Sequence, residues 1–186
     1  MLLLVGLGNP TPNSQNNRHN IGFKIVDAIN QKFGLSKQKP KFKGLLTTGN
    51  IGDKKIYAIK PLTFMNNSGI CIRELLEYFK IDAEDVIVFH DDLDIEFGKI
   101  KAMFGGSSAG HNGIASIDKF IGKEYSRVRI GIGKPENKIS VSDYVLHDFN
   151  EDEQVHLDSI TNNIIESLTI LIDRKLELFS STVNNN

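Results

Sequence analysis

Residues 2–10, Leu-Leu-Leu-Val-Gly-Leu-Gly-Asn-Pro, decide how the fold begins. The apolar run Leu2–Leu7 predicts a short buried strand, and the glycines, asparagine and proline that close it are typical of a turn. After a polar loop, apolar residues recur at helical spacing from Asn20, a favourable N-cap, and Gly34 is a suitable end for this helix. The chain is therefore expected to open with a strand, a long polar loop and a helix.

The rest of the chain alternates in the same way. Strands are expected near residues 42–51, 55–60, 86–89, 99–104 and 126–133. Helices are expected near residues 66–79, 111–120 and 151–179, and a loop with one short helical turn is expected over residues 134–150. We therefore predict an α/β fold: a single-domain, three-layer sandwich in which helices flank a mixed, largely parallel central sheet. The domain is predicted to span residues 1–179, and residues 180–186 are predicted to form a polar, disordered tail.

Length and composition limit the classes of protein. A chain of 186 residues fits one domain that buries its own core. The single cysteine, Cys71, excludes an internal disulfide and a multi-cysteine zinc site. Because a lone cysteine also fits a reducing compartment, we expect a cytoplasmic protein. No apolar run approaches the roughly 18 residues of a membrane span, and the apolar start lacks the basic leader and cleavage site of a signal peptide.

Charge is divided unevenly along the chain, although the net charge is only −1. Residues 1–81 carry twelve Lys and Arg against four Asp and Glu, a net of +8, whereas residues 82–186 carry ten against nineteen, a net of −9. A basic face would attract a polyanion such as RNA whatever the opposite face carries, but the charges can equally mix on the folded surface. Charge alone leaves both interpretations open.

Polar segments stand where strands are expected to end or helices to begin. In open α/β sheets the functional site lies beyond the carboxyl ends of the strands, so Asn9 and Asp91 are expected to reach one crevice. The polar segments are Asn9-Pro10, Arg18-His19-Asn20, residues 64–69, residues 90–92 and Gly110–Gly113.

These segments hold the groups of a hydrolytic site. A histidine beside a carboxylate forms a general base held in one tautomer, and amides can fix a carbonyl or stabilise an oxyanion. Cys71 falls in a predicted helix without an activating partner. A base that activates water directly is therefore favoured over a covalent intermediate. Taken singly, the histidine, asparagines and aspartates also fit ordinary roles at a surface, in a helix cap or in a turn.

Three other patterns are weaker. Gly6-Leu7-Gly8 resembles the start of a dinucleotide fingerprint, but the third glycine position holds Thr11 and no helix follows directly. Residues 105–108, Gly-Gly-Ser-Ser, lack the Gly-Lys-Ser/Thr of a phosphate loop and indicate a flexible backbone instead. The third pattern is a set of possible metal ligands without the spacing of a ligand motif: His19, His90, Asp91, Asp92 and His111.

Together the motifs resemble the bacterial peptidyl-tRNA hydrolase family over roughly residues 2–175. They occur in the family's order and with similar spacing, and their combination is highly specific although each piece alone is not. The segments that carry the resemblance are Val5-Gly-Leu-Gly-Asn-Pro10, Arg18-His-Asn-Ile-Gly22, Lys60-Pro-Leu-Thr-Phe-Met-Asn-Asn-Ser-Gly69, His90-Asp-Asp-Leu-Asp94, Gly110-His-Asn-Gly113 and Arg127-Val-Arg-Ile-Gly-Ile-Gly133.

The resemblance implies hydrolysis of the ester between a peptide and the 3′-terminal ribose of tRNA, by a monomer that needs no metal or cofactor. His19 matches the family's catalytic base and Asp91 its orienting partner. The implied partner is peptidyl-tRNA, through its 3′ end and acceptor region, with neither DNA nor a membrane expected. Other matching positions are the site amides Asn9 (associated with telling blocked from free aminoacyl groups), Asn66 and Asn112, the substrate-contact residue Phe64, and the tRNA-contact residues Lys101 and Arg129.

Departures from the family pattern concern the RNA. Ser14 stands where the family usually has a tyrosine expected to contact the tRNA end, and Met103 stands where a basic residue is common. Two other hypotheses stay open. One is a non-catalytic RNA-processing binding protein on the same fold, against which the presence of both His19 and Asp91 argues. The other is a metal-dependent hydrolase of small esters.

Overall fold

The structure is a computed structural model that describes residues 1–136 and 138–185. Asn137, in the predicted loop over 134–150, and Asn186, in the predicted tail, lie outside the described residues. Within the described ranges the strands are β1 (Leu2–Gly6), β2 (Lys39–Lys41), β3 (Gly44–Ile51), β4 (Lys54–Pro61), β5 (Val86–Asp92), β6 (Ile100–Phe104) and β7 (Ser126–Gly131). The α-helices are α1 (Ile21–Lys32), α2 (Ser68–Phe79), α3 (Asn112–Ile121), α4 (Val141–Leu146), α5 (Glu151–Glu166), α6 (Leu168–Ile172) and α7 (Leu176–Asn184).

The strands form one seven-stranded sheet in the order β2-β3-β4-β1-β5-β7-β6. The four central strands β4, β1, β5 and β7 run parallel, and the outer pairs β2–β3, β3–β4 and β6–β7 are antiparallel. The predicted mixed, largely parallel sheet is therefore confirmed. Because β1 and β5 lie side by side in parallel, the residues that follow Gly6 and Phe89 meet at one edge of the sheet.

Helices cover both faces of the sheet, which gives the three predicted layers. Strand β1 is buried on both faces: Leu2 and Leu4 join the core beneath α1, α5, α6 and α7, whereas Leu3 and Val5 join the core beneath α2 and α3. This explains why β1 is a continuous apolar run rather than an alternating one.

Helix α1 starts in direct backbone contact with the sheet. A Cβ atom at Gly22 would lie 2.4 Å from the backbone nitrogen of Leu7 and 2.4 Å from the backbone oxygen of Phe89. Only glycine allows this approach, which fixes the start of α1 over the carboxyl ends of β1 and β5. His19, three residues before Gly22, is thereby held at the same edge of the sheet.

The C-terminal region differs from the prediction. The single helix expected over residues 151–179 is three helices, α5 to α7, with breaks at Ser167 and at residues 173–175. The predicted inward residues Ile160, Ile164, Leu168 and Leu171 are nevertheless all buried. The breaks let the chain turn back over the sheet, so that α7 reaches the edge strand β6 instead of continuing away from the core.

The disordered tail predicted from residue 180 is wrong for the described residues of that segment. Residues 180–184 belong to α7, where Val183 is buried. Ser180 Oγ accepts a hydrogen bond from the backbone N–H of Ala102 at 2.8 Å. The side chain of Asn184 accepts from the N–H of Ile100 at 2.9 Å and donates to its carbonyl at 2.8 Å. These polar side chains order the segment because they pair with the free edge of β6.

Candidate active site

A cleft of about 1130 Å³ lies at the carboxyl edge of the sheet, where the predicted polar segments converge. It brings together residues as far apart in the chain as Asn9 and Leu146. Lys101 and Arg129 do not line it. The predicted site residues that line the cleft are Asn9, His19, Phe64, Asn66, Asp91 and Asn112.

His19 and Asp91 form a buried pair in this cleft. His19 lies in a 3-10 helix, Arg18–Asn20, directly before α1, and Asp91 lies near the end of β5. The Nδ1 atom of His19 is 2.9 Å and 3.0 Å from the two carboxylate oxygens of Asp91. Since a carboxylate only accepts, Nδ1 carries the proton and donates it. In the neutral imidazole the unprotonated nitrogen is then Nε2, as a general base requires.

The carboxylate of Asp91 is ionised. Burial by itself would raise the pKa of Asp91, but the imidazoles of His111 and His19 that face it outweigh burial and hold the pKa well below its usual range. A fixed negative charge beside Nδ1 would also stabilise the imidazolium that forms when His19 takes a proton.

A second imidazole reaches the same carboxylate. His111 Nε2 lies 2.9 Å from Asp91 Oδ1. His111 Nδ1 accepts hydrogen bonds from the backbone N–H groups of Gly113 at 3.1 Å and Ile114 at 3.2 Å, which makes His111 the N-cap of α3. The sequence analysis named His111 only as a possible metal ligand and missed this contact. Its position directly before a predicted helix was a signal for the cap, but nothing local indicated the contact with Asp91.

The imidazoles of His19 and His111 and the carboxylate of Asp91 offer a possible metal set, with ligand atoms all within 4.8 Å of one another. The donor chemistry does not fit a metal. His111 Nδ1 accepts two backbone N–H groups, so the ring proton of the neutral imidazole must be on Nε2, the atom that faces Asp91. That nitrogen has no lone pair to give to a cation.

Asn9 links two of the polar segments. Its side-chain oxygen accepts a hydrogen bond from the backbone N–H of Met65 at 2.8 Å. Its backbone N–H and carbonyl are both held by the side chain of Asn20, at 2.8 Å and 2.9 Å. Asn20 was predicted to cap α1, but it makes no side-chain cap there. It positions Asn9 instead, a role that the sequence analysis missed.

Asn66 and Asn112 present free amides to the cleft. Neither side chain makes a hydrogen bond to residues 1–136 or 138–185. Neither serves as a helix cap either, because the residue that precedes α2 is Asn67 and the residue that caps α3 is His111. Both amides are therefore available to donate to, or accept from, a bound substrate.

Phe64 stands beside Asn66 at the cleft in a strained backbone conformation. Its φ is +63° and its ψ is 157°, a combination that costs roughly 1–3 kcal/mol for a residue with a side chain. Its ring is 53% exposed. An exposed aromatic ring held under strain at a cleft fits a substrate contact better than a role in the core.

Cys71 does not supply a nucleophile. It is fully buried in α2, and burial, together with the nearby charge of Glu74, raises the pKa of its thiol to about 12. Ser14 lines the cleft, but its hydroxyl is paired with that of Thr11. Neither side chain contacts a base among the described residues that could activate it.

The two predicted tRNA-contact residues are cross-strand neighbours outside the cleft. Lys101 on β6 is exposed and lies opposite Arg129 on β7. Arg129 Nε donates to Asp92 Oδ2 at 2.7 Å, and Nη1 lies 3.5 Å from the sulfur of Met103. Lys101 is thus open to a phosphate, whereas Arg129 already has an anionic partner.

Arg127 was also missed by the sequence analysis. Its guanidinium is buried and donates to the carbonyls of Ser107 at 2.7 Å and Gly106 at 2.8 Å. These bonds hold the glycine-rich loop that continues into the cleft wall at Ser108. Arg127 therefore anchors the centre of this loop, which the sequence predicted to be flexible.

A buried histidine–carboxylate pair that shares a cleft with free amides, at the carboxyl edge of a largely parallel sheet, is typical of a hydrolase. The comparisons with known proteins narrow the class. A family model described as Peptidyl-tRNA hydrolase matches residues 3–186, so the chain belongs to the peptidyl-tRNA hydrolase family.

Relatives and solved structures agree with this assignment. The chain is 80% identical over 185 residues to the peptidyl-tRNA hydrolase of Pelagibacter ubique (strain HTCC1062), and the match covers 100% of both chains. It is 44% identical over 183 residues to that of Roseobacter denitrificans, which covers 98% of this chain and 78% of the relative. The crystal structure of peptidyl-tRNA hydrolase from Acinetobacter baumannii matches with a TM-score of 0.92 at 34% identity, covering 99% of this chain and 94% of that one.

Proposed function

We propose that this protein hydrolyses the ester bond between the peptide and the tRNA of peptidyl-tRNA, and that His19 is the catalytic base. The observation that carries the proposal is the contact of 2.9 Å between His19 Nδ1 and Asp91, which fixes the tautomer with an unprotonated Nε2 in a cleft that His19 lines. The substrate is inferred from membership of the family, and the reaction mechanism is inferred from the pair of His19 and Asp91.

In the proposed reaction, Nε2 of His19 removes a proton from a water molecule, and the water oxygen adds to the ester carbonyl carbon. The tetrahedral intermediate then collapses, and the bond to the 3′ oxygen of the ribose breaks. That oxygen takes the proton from His19, so the products are tRNA with a free 3′ hydroxyl and a peptide with a free carboxyl group. Asp91 stabilises the imidazolium between the two proton transfers.

Three amides and an aromatic ring complete the proposed site. Asn66 and Asn112 have free side chains, and one of them donates to the oxyanion of the intermediate. Asn9 accepts from Met65 through its side-chain oxygen, so its Nδ2 remains to contact the blocked amino end of the substrate. The exposed ring of Phe64 packs on the substrate beside them.

We propose that the RNA reaches the cleft past Lys101 and Arg129. Both are cationic and adjacent on β6 and β7, and a hydrolase for all tRNAs needs contacts with backbone and the single-stranded end rather than with sequence. We further propose that the protein works as a cytoplasmic monomer. None of the helices in the described part of the chain could cross a membrane. Light scattering of the purified protein tests the monomer.

One assay tests the function. N-blocked and free aminoacyl-tRNA are offered to the wild type and to His19→Ala, with His147→Ala, an exposed histidine, as the matched control. We expect the wild type and the control to release tRNA from the blocked form only, and His19→Ala to turn over roughly 10²–10⁴-fold more slowly. Activity of the wild type that disappears with EDTA would favour a metal-dependent esterase, and tRNA binding without release would favour the RNA-binding alternative.

A further inference from the structure

The imidazoles of His19 and His111 both contact Asp91, and they cannot have the same role in the reaction. We propose that His111 is a positioning residue, which holds the carboxylate of Asp91 in the orientation that His19 needs and acts on the substrate only through that carboxylate. The proposal rests on the proposed function of His19 and Asp91. It assigns to His111 a role in turnover rather than in folding alone.

A series of hydrogen bonds links helix α3 to the proposed base, His19. Two backbone N–H groups in the first turn of α3, those of Gly113 and Ile114, donate to Nδ1 of His111 at 3.1 Å and 3.2 Å. Nε2 of the same ring donates to Asp91 at 2.9 Å, and Asp91 accepts from His19 at 2.9 Å. The rings of His19 and His111 lie 4.8 Å apart between centroids, so each limits the movement of the other. These contacts fix the positions of His19 and Asp91 relative to α3.

His111 suits this part because its two ring nitrogens have fixed and different partners. Nδ1 accepts from the backbone of α3 at 3.1 Å and 3.2 Å, and Nε2 donates to Asp91 at 2.9 Å. The ring also packs against buried His90, with ring centroids 5.0 Å apart. His111 therefore orients the carboxylate of Asp91 while its other nitrogen is held by α3.

Two substitutions separate the two contacts of His111. The oxygen of an asparagine side chain stands where Nδ1 stands, so His111→Asn keeps the acceptor for α3 and removes the donor to Asp91. The side-chain nitrogen of glutamine is as many bonds from the Cα atom as Nε2 of histidine. His111→Gln therefore keeps the donor to Asp91 and removes the cap of α3. Both are compared with the wild type for kcat, KM and melting temperature on N-blocked aminoacyl-tRNA.

We expect His111→Asn to lower kcat by about tenfold or more, with KM within about twofold and melting temperature retained, because the carboxylate is free to turn. His111→Gln should recover most of that turnover, to within roughly threefold of the wild type. Its melting temperature should fall by about 2–4 °C through loss of the cap. This crossed pattern cannot arise from a residue that only stabilises the fold.

The opposite pattern overturns the proposal: wild-type turnover in His111→Asn, or equal losses of turnover in both variants. Failure of the proposed function itself is recognised separately with His19→Ala. If that variant retains wild-type activity, His19 is not the base, whatever the His111 variants do. If it is inactive while His111→Asn is unaffected, the base stands and only the positioning role fails.

Discussion

Asn20 holds Asn9 by both polar atoms of its backbone. The side-chain oxygen of Asn20 accepts from the N–H of Asn9 at 2.8 Å, and the side-chain nitrogen donates to the carbonyl at 2.9 Å. This paired contact joins the loop after β1 to the start of α1. It leaves the side chain of Asn9 to bridge to Met65, next to the free amide of Asn66.

We predict that Asn20→Ala weakens recognition of the blocked amino end. Loss of hydrogen bonds worth about 0.5–1.5 kcal/mol each lets Asn9 shift, so kcat/KM for N-blocked aminoacyl-tRNA should fall roughly tenfold. Kinetic assays with N-blocked substrate provide the measurement. Asn30→Ala is the matched control, because Asn30 also lies in α1 and bonds a strand residue, Thr47, far from the cleft. Equal losses in both variants would assign the effect to α1 and not to Asn9.

Asn66 and Asn112 should differ in the kinetic constant that each controls. The amide that donates to the oxyanion acts only in the transition state, so its replacement by Ala should lower kcat by about 10²–10³-fold. An amide that only binds the substrate should raise KM and leave kcat intact. Asn67→Ala controls for the neighbouring backbone, because Asn67 is exposed and makes no side-chain cap. Full activity of both Asn66→Ala and Asn112→Ala would remove the amides from the mechanism.

Most of the fold follows from local patterns in the sequence. The continuous apolar run of β1 and the helical spacing after Asn20 predicted a strand and a helix that the structure contains. What failed depended on distant partners. The break at Ser167 follows no proline or glycine. The last helix buries Val183 in the core, and its Ser180 and Asn184 bond to the edge of β6, more than seventy residues away in the chain.

The same division holds for the candidate site. The residues that a motif supplies, such as His19 and Asp91, could be named from the sequence, and the structure places them in contact. The residues that support them could not, because their contacts are set by tertiary structure. Asn20 was assigned to a cap by its position before a helix, although its side chain turns to Asn9. His111 was assigned to a metal set by its residue type, although it holds Asp91.

We predict that Lys101 contributes more to tRNA binding than Arg129. Lys101 is exposed, whereas Arg129 is paired with Asp92, and each phosphate contact adds about 0.7–0.9 to the slope of log K against log salt concentration. Lys101→Ala should therefore lower that slope by nearly one unit, and Arg129→Ala by less. Titrations of tRNA at several salt concentrations measure the slope, with Lys175→Ala as control. An unchanged slope in Lys101→Ala would place the RNA elsewhere.

His90 should make the fold sensitive to mild acid. Burial, with a contribution from neighbouring His111, lowers the pKa of His90 to about 3. Below about pH 6.5 the unfolded chain binds a proton on this residue that the folded chain does not bind. The free energy of unfolding should therefore decrease as the pH falls from 6.5 towards 3, by up to roughly 1.4 kcal/mol per pH unit from this group.

The replacement His90→Asn tests this origin of the slope. An asparagine nitrogen can still donate to the carbonyl of Asp91, as Nδ1 of His90 does at 2.8 Å. Urea unfolding between pH 6.5 and 5, above the range in which carboxylates titrate, should show a shallower slope for His90→Asn than for the wild type. His147→Asn, at an exposed position, should keep the wild-type slope. Parallel slopes in wild type and His90→Asn would mean that His90 does not couple folding to pH.

The last helix should contribute to stability through one asparagine. Both bonds of Asn184 go to the backbone of Ile100 on the edge strand β6, where no neighbouring strand is available to replace them. Asn184→Ala should lower the free energy of unfolding by about 1–2 kcal/mol. Asn185→Ala, one residue further along and exposed, should have no comparable effect.

Because an unpaired edge also invites pairing with another chain, Asn184→Ala should associate more at high concentration in light scattering. Equal stability of the two variants, with no association, would mean that water satisfies the edge as well as α7 does.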